Sequence, residues 1–211
     1  MKKVIIPAVI AKTQEELDDI FSRIKDFASL LQLDIMDNRF VPNNSLDFDF
    51  KIPLGKYQFE AHLMIENPEK WFEENWEKVD TIIAHLEVVK NTEKFIESVK
   101  AKQKKMAFAL NPETDVEEIK AYLSRIDQVL IMTVHPGFYG SKFLPETLDK
   151  IRRLREMKPE LDIEVDGGIG PDTIEEVNEA GANMYVSGSY LIKADNILER
   201  INILKRKIGM N

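Results

Sequence analysis

From end to end the chain alternates between short apolar runs and longer stretches whose apolar positions recur with helical spacing. The apolar runs predict strands at Val4–Ile10, Leu31–Met36, Gln58–Met64, Thr81–Leu86, Lys105–Leu110, Gln128–Val134, Asp162–Val165 and Asn183–Val186. Between them the spacing predicts helices over Thr13–Phe27, Pro68–Glu77, Thr92–Lys104, Asp115–Leu123, Pro145–Met157 and Thr173–Ala180, with a last one at Asn196–Ile208. Asn43–Tyr57, which holds Pro53 and Gly55, is the least regular link. Strand–helix units repeated in this way through 211 residues fit a minimal (β/α)8 TIM barrel. A doubly wound open sheet is the alternative, but no G-x-G-x-x-G follows the first strand, which disfavours a dinucleotide fold. No Pro/Gly/Ser-rich linker divides the chain, so one domain over residues 1–211 is expected.

Composition narrows the partners. A net charge of −8 argues against nucleic acid or an anionic membrane. The longest apolar runs, such as Val4–Ala11 and Val129–Val134, are far too short to span a bilayer. Met1-Lys2-Lys3 and the apolar residues after it superficially resemble a signal peptide. They lack a sufficient apolar region and a small-residue cleavage site, so they read as a first strand in a cytoplasmic protein. The absence of cysteine excludes disulfides and thiolate metal sites.

In a barrel of this kind, chemistry sits where strands end and the following loops begin. Period-two alternation puts Gln32, Asp34 and Met36 on one face of the second strand, Glu60, His62 and Met64 on one face of the third, and Ile83, His85 and Glu87 together on the fourth. Asp166 follows the seventh strand directly and is followed by Gly167 and Gly168. Two carboxylates and a histidine would converge on the barrel mouth. The glycine pair can expose backbone N–H groups to an anion such as a phosphate, which this acidic chain would hold by amides rather than by a basic patch. Asp166 could equally be a turn-former or helix cap. Asp34 in an apolar strand is costly to bury unless it is paired or metal-bound. Asp37 reads as structural, satisfying loop amides. His85 and His135 read as structural hydrogen-bonders outside any metal site. Trp71 and Trp76 read as packing or a subunit interface, and Lys100–Lys105 as a solvated helix end.

A set of motifs in fixed order carries a resemblance. They are Leu33-Asp-Ile-Met-Asp37 with Phe40-Val-Pro-Asn43, Ala61-His-Leu-Met64, His85-Leu-Glu87 and Leu110-Asn-Pro-Glu-Thr114. Met132-Thr-Val-His-Pro-Gly-Phe138 with Gly140 and Phe143, Val165-Asp-Gly-Gly168 and Val186-Ser-Gly-Ser189 complete them. Together they resemble the ribulose-phosphate 3-epimerase family over nearly the whole chain. The resemblance implies a TIM barrel that interconverts D-ribulose 5-phosphate and D-xylulose 5-phosphate. Asp34 and Asp166 would be the acid/base pair working through a 2,3-enediolate. A divalent metal (Zn, Fe, Mn or Co) would be held by Asp34, His62 and Asp166. Met36, Met64 and Met132 would surround the enediolate, and Gly137, Gly140, Gly167, Gly168, Gly188 and Ser189 would take the phosphate. Family members are often dimers or hexamers, so a homo-oligomer is compatible with the resemblance.

The chain departs from the family at the site. A histidine ligand of the family is Gln32 here, which is either a poorer ligand or a hydrogen-bond partner for Asp34. The first-strand Pro-Ser-x-x-Ser is Pro7-Ala-Val-Ile-Ala11, so a substrate-touching hydroxyl is lost at Ala8 and another serine at Ala11. A glycine is Asn38, and Gly-Gly-Gln in the sixth-strand loop is Tyr139-Gly140-Ser141. Three histories fit: an active epimerase whose metal site is altered, weakened or lost; an epimerase of another ketose phosphate such as a hexulose 6-phosphate; or a sugar-phosphate-binding relative without the reaction. Asp34-Ile-Met-Asp37 has no lysine between its acids, which sets aside the Asp-x-Lys-x-x-Asp decarboxylase and synthase chemistry.

Overall fold

Eight of the apolar runs form parallel strands in the computed structural model, which describes residues 1–53, 55–137 and 140–210. Phe138 and Tyr139, both named above, lie outside the described residues, as do Leu54 and Asn211. The strands are β1 Val4–Val9, β2 Leu30–Asp37, β3 Gln58–Met64, β4 Thr81–His85, β5 Lys105–Leu110, β6 Gln128–Met132, β7 Asp162–Asp166 and β8 Met184–Ser187. Each pairs with the next, and β1 pairs with both β2 and β8, which closes a (β/α)8 TIM barrel.

Alternation along each strand sorts residues into two layers. Leu31, Leu33 and Ile35 of β2 and Phe59, Ala61 and Leu63 of β3 belong to the large apolar layer between barrel and helices. At about 1.5–3 kcal/mol for each large side chain fully buried, that layer supplies most of the stabilisation. The barrel interior can therefore hold polar groups. Gln32, Asp34, Glu60, His62, Gln128 and Glu164 are all buried, beside apolar clusters around Leu130 and Ile6.

The outer helices are α1 Gln14–Ile24, α2 Pro68–Asn75, α3 Thr92–Ala101, α4 Thr147–Met157, α5 Ile174–Ala180, α6 Ser189–Ile192 and α7 Ile197–Lys207. Thr13, Asn91 and Asn196 cap α1, α3 and α7 by accepting from the backbone N–H three residues on, each worth about 1 kcal/mol.

Two segments differ from the sequence expectation. The helix expected over Asp115–Leu123 is a 3-10 helix, Val116–Tyr122. Its buried residues Val116 and Ile119 lie three apart, which matches three residues per turn. The four-residue α6, which follows β8 at once, was not signalled by any periodicity. The irregular link after β2 has no helix among its described residues. Asn44–Ser45 instead adds a short antiparallel strand to Met36–Asp37. Leu46 N–H donates to the Ala11 carbonyl (2.8 Å) and Ala11 N–H to Ser45 Oγ (3.2 Å). Leu46 and Phe50 fill the place of the missing helix in the apolar layer.

The lysine cluster is more than a solvated helix end. The ammonium groups of Lys102 and Lys104 lie over the Trp76 ring, and Lys100 pairs with Asp127 at 2.6 Å. Among the described residues no helix is long and apolar enough to cross a membrane.

Candidate active site

A cavity of about 180 Å³ opens at the C-terminal end of the strands. Asp34 from β2 and Asp166 from the end of β7 line it, together with Met36, Met64 and Met132. Gly137, Gly140, Gly167, Gly168, Gly188 and Ser189 line it as well, so the structure brings together the residues expected for proton transfer and for phosphate. Ala8 is also on the wall, whereas Ala11 is buried in the outer apolar layer. Ser141, named above as a departure in the sixth-strand loop, and Tyr190, which motif reading passed over, complete one side. The only sequence signal of Tyr190 was adjacency to Ser189.

The turn after β7 needs its glycines. Gly167 has φ +118° and Gly168 φ +65°. A Cβ on Gly167 would stand 2.4 Å from Val134 Cγ2, a distance no side chain tolerates. Thr133 Oγ1 donates to the Gly167 carbonyl (2.6 Å) and Thr173 Oγ1 to that of Gly168 (2.8 Å), which fix the turn from both sides. Asp37 acts as loop anchor: its carboxylate accepts from the N–H groups of Arg39, Phe40 and Glu66 at 2.8–3.1 Å. Asn38 stands at φ +57°, a left-handed conformation that asparagine tolerates better than most residues other than glycine.

Behind the cavity wall the two aspartates share partners. Gln32 donates through Nε2 to Asp34 Oδ1 and to Asp166 Oδ2, both at 2.8 Å. His62 Nδ1 lies 3.5 Å from Asp34 Oδ1 and 3.3 Å from Asp166 Oδ2. Of the two roles read for Gln32, the structure shows the hydrogen-bonding one, extended to both acids. Burial raises the Asp34 carboxyl to about 6, with the Asp166 charge adding to it and His62 and Gln32 opposing. Burial also works against a charged His62. The carboxylates of Asp166 and Asp34 outweigh that cost and hold the imidazole up at about 9.

His85 belongs to this network. Its Nε2 lies 2.9 Å from His62 Nε2, its ring stacks on the His62 ring at 5.0 Å, and Phe40 covers its other side at 4.6 Å. Burial lowers His85 to about 4, so its neutral ring accepts the His62 Nε2 proton. Its own Nδ1 faces Glu87 Oε2 at 3.4 Å. Glu87 is partly buried, which would raise its carboxyl. The close contact with the His85 ring, together with hydrogen bonds from the Thr114 hydroxyl and the Asn111 amide, overrides this and holds it at about 2. Glu87, His85 and His62 thus form a chain that leaves His62 Nδ1 facing the aspartates. His135, by contrast, is exposed and pairs with Glu113 at 3.1 Å.

Asp34, His62 and Asp166 offer ligand atoms within 4.8 Å of one another. Two carboxylates and an imidazole are a donor set that fits a divalent cation. The second ring nitrogen of His62 is engaged by His85 Nε2, which orients the imidazole with Nδ1 towards the aspartates.

Comparison with known proteins identifies the family. The sequence model of the ribulose-phosphate 3 epimerase family matches residues 2–192. Ribulose-phosphate 3-epimerase of Eremothecium gossypii is 33% identical over 99% of this chain and 94% of its own. The cytoplasmic isoform of the enzyme from Oryza sativa subsp. japonica is 39% identical over 86% of this chain and 83% of its own. Among solved structures, 3-hexulose-6-phosphate synthase from Salmonella typhimurium shares the fold with a TM-score of 0.69, at 13% identity and 98% coverage of both chains. The chain belongs to the ribulose-phosphate 3-epimerase family of isomerases.

Proposed function

We propose that this chain is a ketose-phosphate 3-epimerase that interconverts D-ribulose 5-phosphate and D-xylulose 5-phosphate in the cytoplasm, as one domain spanning residues 1–211. The observation that carries the reading is the placement of two carboxylates, Asp34 and Asp166, on one cavity wall from strands separated by β1 and β8 around the barrel.

Inverting a carbon next to a carbonyl needs one group to take its proton and a second to return one from the opposite face. One aspartate removes the C3 proton. The C–H electron pair becomes the C2–C3 double bond, and the carbonyl electrons move to O2, which gives the 2,3-enediolate. The other aspartate delivers its proton to C3 from the far side, and the carbonyl reforms. The two acids end the turnover with their protonation exchanged and re-equilibrate with solvent. Asp34, raised towards neutrality by burial, has the pKa such a shuttle needs. Met36, Met64 and Met132 keep water from the reacting carbon, and the backbone around Gly167, Gly168, Gly188 and Ser189 takes the phosphate. Asp34, His62 and Asp166 would hold a divalent cation, which when bound supplies charge stabilisation to the sugar oxygens.

Ala8 on the cavity wall favours one second reading, the same reaction on another ketose phosphate such as a hexulose 6-phosphate. Incubation with D-ribulose 5-phosphate in D2O, with chelator or with added Zn, Mn, Fe or Co, tests the proposal by proton NMR. Loss of the C3–H signal with formation of xylulose 5-phosphate is expected. Folded protein that exchanges nothing with any metal would overturn the pentulose assignment.

A further inference from the structure

Gln32 occupies a corner of a cage. Its Nε2 is 2.8 Å from Asp34 Oδ1, 2.8 Å from Asp166 Oδ2 and 3.4 Å from His62 Nδ1. His62 Nδ1 is 3.5 and 3.3 Å from the same two oxygens. Five of the six distances among these four side-chain atoms are thus 2.8–3.5 Å, and the ligand atoms of Asp34, His62 and Asp166 all lie within 4.8 Å of one another. A tetrahedron with edges of about 3.2 Å has its centre about 2 Å from every corner, which is the bond length of a divalent cation to oxygen and nitrogen donors. The carboxamide is a vertex of this cage and not its occupant.

The other end of the same group is a second, independent observation. Gln32 is fully buried, and its Oε1 has no hydrogen-bond partner among the described residues. A buried carbonyl oxygen left without a donor costs about 1–3 kcal/mol. Rotation of the carboxamide about its last bond exchanges oxygen and nitrogen at nearly unchanged positions. With nitrogen inward, the amide bridges two carboxylates. With oxygen inward, it sets a third oxygen against them, which is favourable only when a cation lies between.

The geometry points to Gln32 Oε1 as the fourth protein ligand of a divalent cation in this cage. The donor set is then three oxygens and one imidazole nitrogen. It favours hard cations such as Mn2+ more than a site with two imidazoles does, narrowing the usual advantage of Zn2+. The inference deepens the epimerase reading at the same site but concerns binding alone. A failure of turnover in the exchange experiment leaves it standing, and a failure of binding leaves the proton chemistry to be judged separately.

The test is equilibrium binding on chelator-stripped protein, with free Mn2+ followed by electron paramagnetic resonance and Zn2+ by competition with a chromophoric chelator. Gln32→His is expected to raise the ratio of Zn2+ to Mn2+ affinity by about tenfold or more, and Gln32→Leu to weaken Mn2+ binding by about tenfold or more. Tighter Mn2+ binding by Gln32→Leu would show that the amide competes with the cation, and would overturn the assignment. So would an unchanged ratio in Gln32→His, or no binding of either ion by the parent protein. Should Gln32→Leu fail to fold, Gln32→Glu places a charged oxygen at the same corner and is expected to tighten Mn2+ binding. Unchanged or weaker binding by that variant would count equally against the proposal.

Discussion

The barrel interior holds buried acids at two levels, and the two levels are built differently. At the mouth, Asp34 and Asp166 have Gln32 and His62 between them, and Asp34 rises only to about 6. Deeper in the barrel, Glu60 and Glu164 are fully buried, with both Glu60 oxygens and Glu164 Oε1 unpartnered among the described residues. Gln128 reaches this level, donating to Glu164 Oε2 at 3.0 Å. Burial raises Glu60 to about 8, and burial together with the Glu60 charge puts Glu164 well above the usual carboxylate range. The contrast shows what keeps a buried acid ionisable: a cationic imidazole 3.3–3.5 Å away in addition to an amide donor, whereas an amide alone leaves the buried carboxyl protonated.

The largest effect that sharpens this comparison comes from the mouth. Asp166→Asn keeps the volume and the contact with Gln32 but removes the proton carrier, and is expected to lower C3–H exchange by about 10²–10⁴-fold. Exchange within tenfold of the parent, followed by NMR in D2O, would remove Asp166 from the reaction. A smaller effect is expected one contact further out. His85→Phe fills the same apolar space but cannot accept the His62 proton, and is expected to weaken divalent-metal affinity by about 10–100-fold while leaving the melting temperature near the parent's. An unchanged dissociation constant would make the Glu87–His85 chain a packing feature only.

The deeper level should be nearly silent in catalysis. Glu60→Gln replaces an already neutral acid and is expected to leave kcat within about twofold, but it changes the pH dependence of stability. The folded protein keeps the Glu60 proton up to about pH 8, whereas the unfolded chain releases it near 4.5. The folded state therefore binds more protons across that window, so the contribution of Glu60 to stability falls as pH rises from about 4.5 to 8. Thermal melts at pH 5 and pH 8 should show a smaller loss for Glu60→Gln than for the parent. Equal losses would mean that Glu60 is ionised in the fold.

How far the sequence reaches follows from the same comparison. Asp34 and His62 were legible because motif and period-two alternation put each on a shared face of its strand, and Asp166 because its motif set it at a strand end before a glycine pair. The strand order was legible from the repeat. The contacts of Gln32 with Asp166 and of His85 with His62 were not. They depend on the stagger between strands and on side-chain reach across the barrel, and neither leaves a local pattern. Glu60 was read on the inward face beside His62, but its lack of partners depends on which residues of β6 and β7 share its level. The 3-10 turn at Val116–Tyr122 escaped for a simpler reason. Over so short a segment, apolar residues three apart satisfy an α-helical and a 3-10 pattern equally.

The barrel closes where β1 pairs with both β2 and β8, and Asp34 and Asp166 stand on either side of that seam. Whatever joins the two carboxylates also joins the first part of the chain to the last quarter. A ligand gripped by both aspartates acts as a fastener on ring closure, binding only the closed barrel and drawing the whole fold towards it by mass action. Occupancy of this site and the cohesion of the ring are therefore one equilibrium, and a change in either is registered in the other.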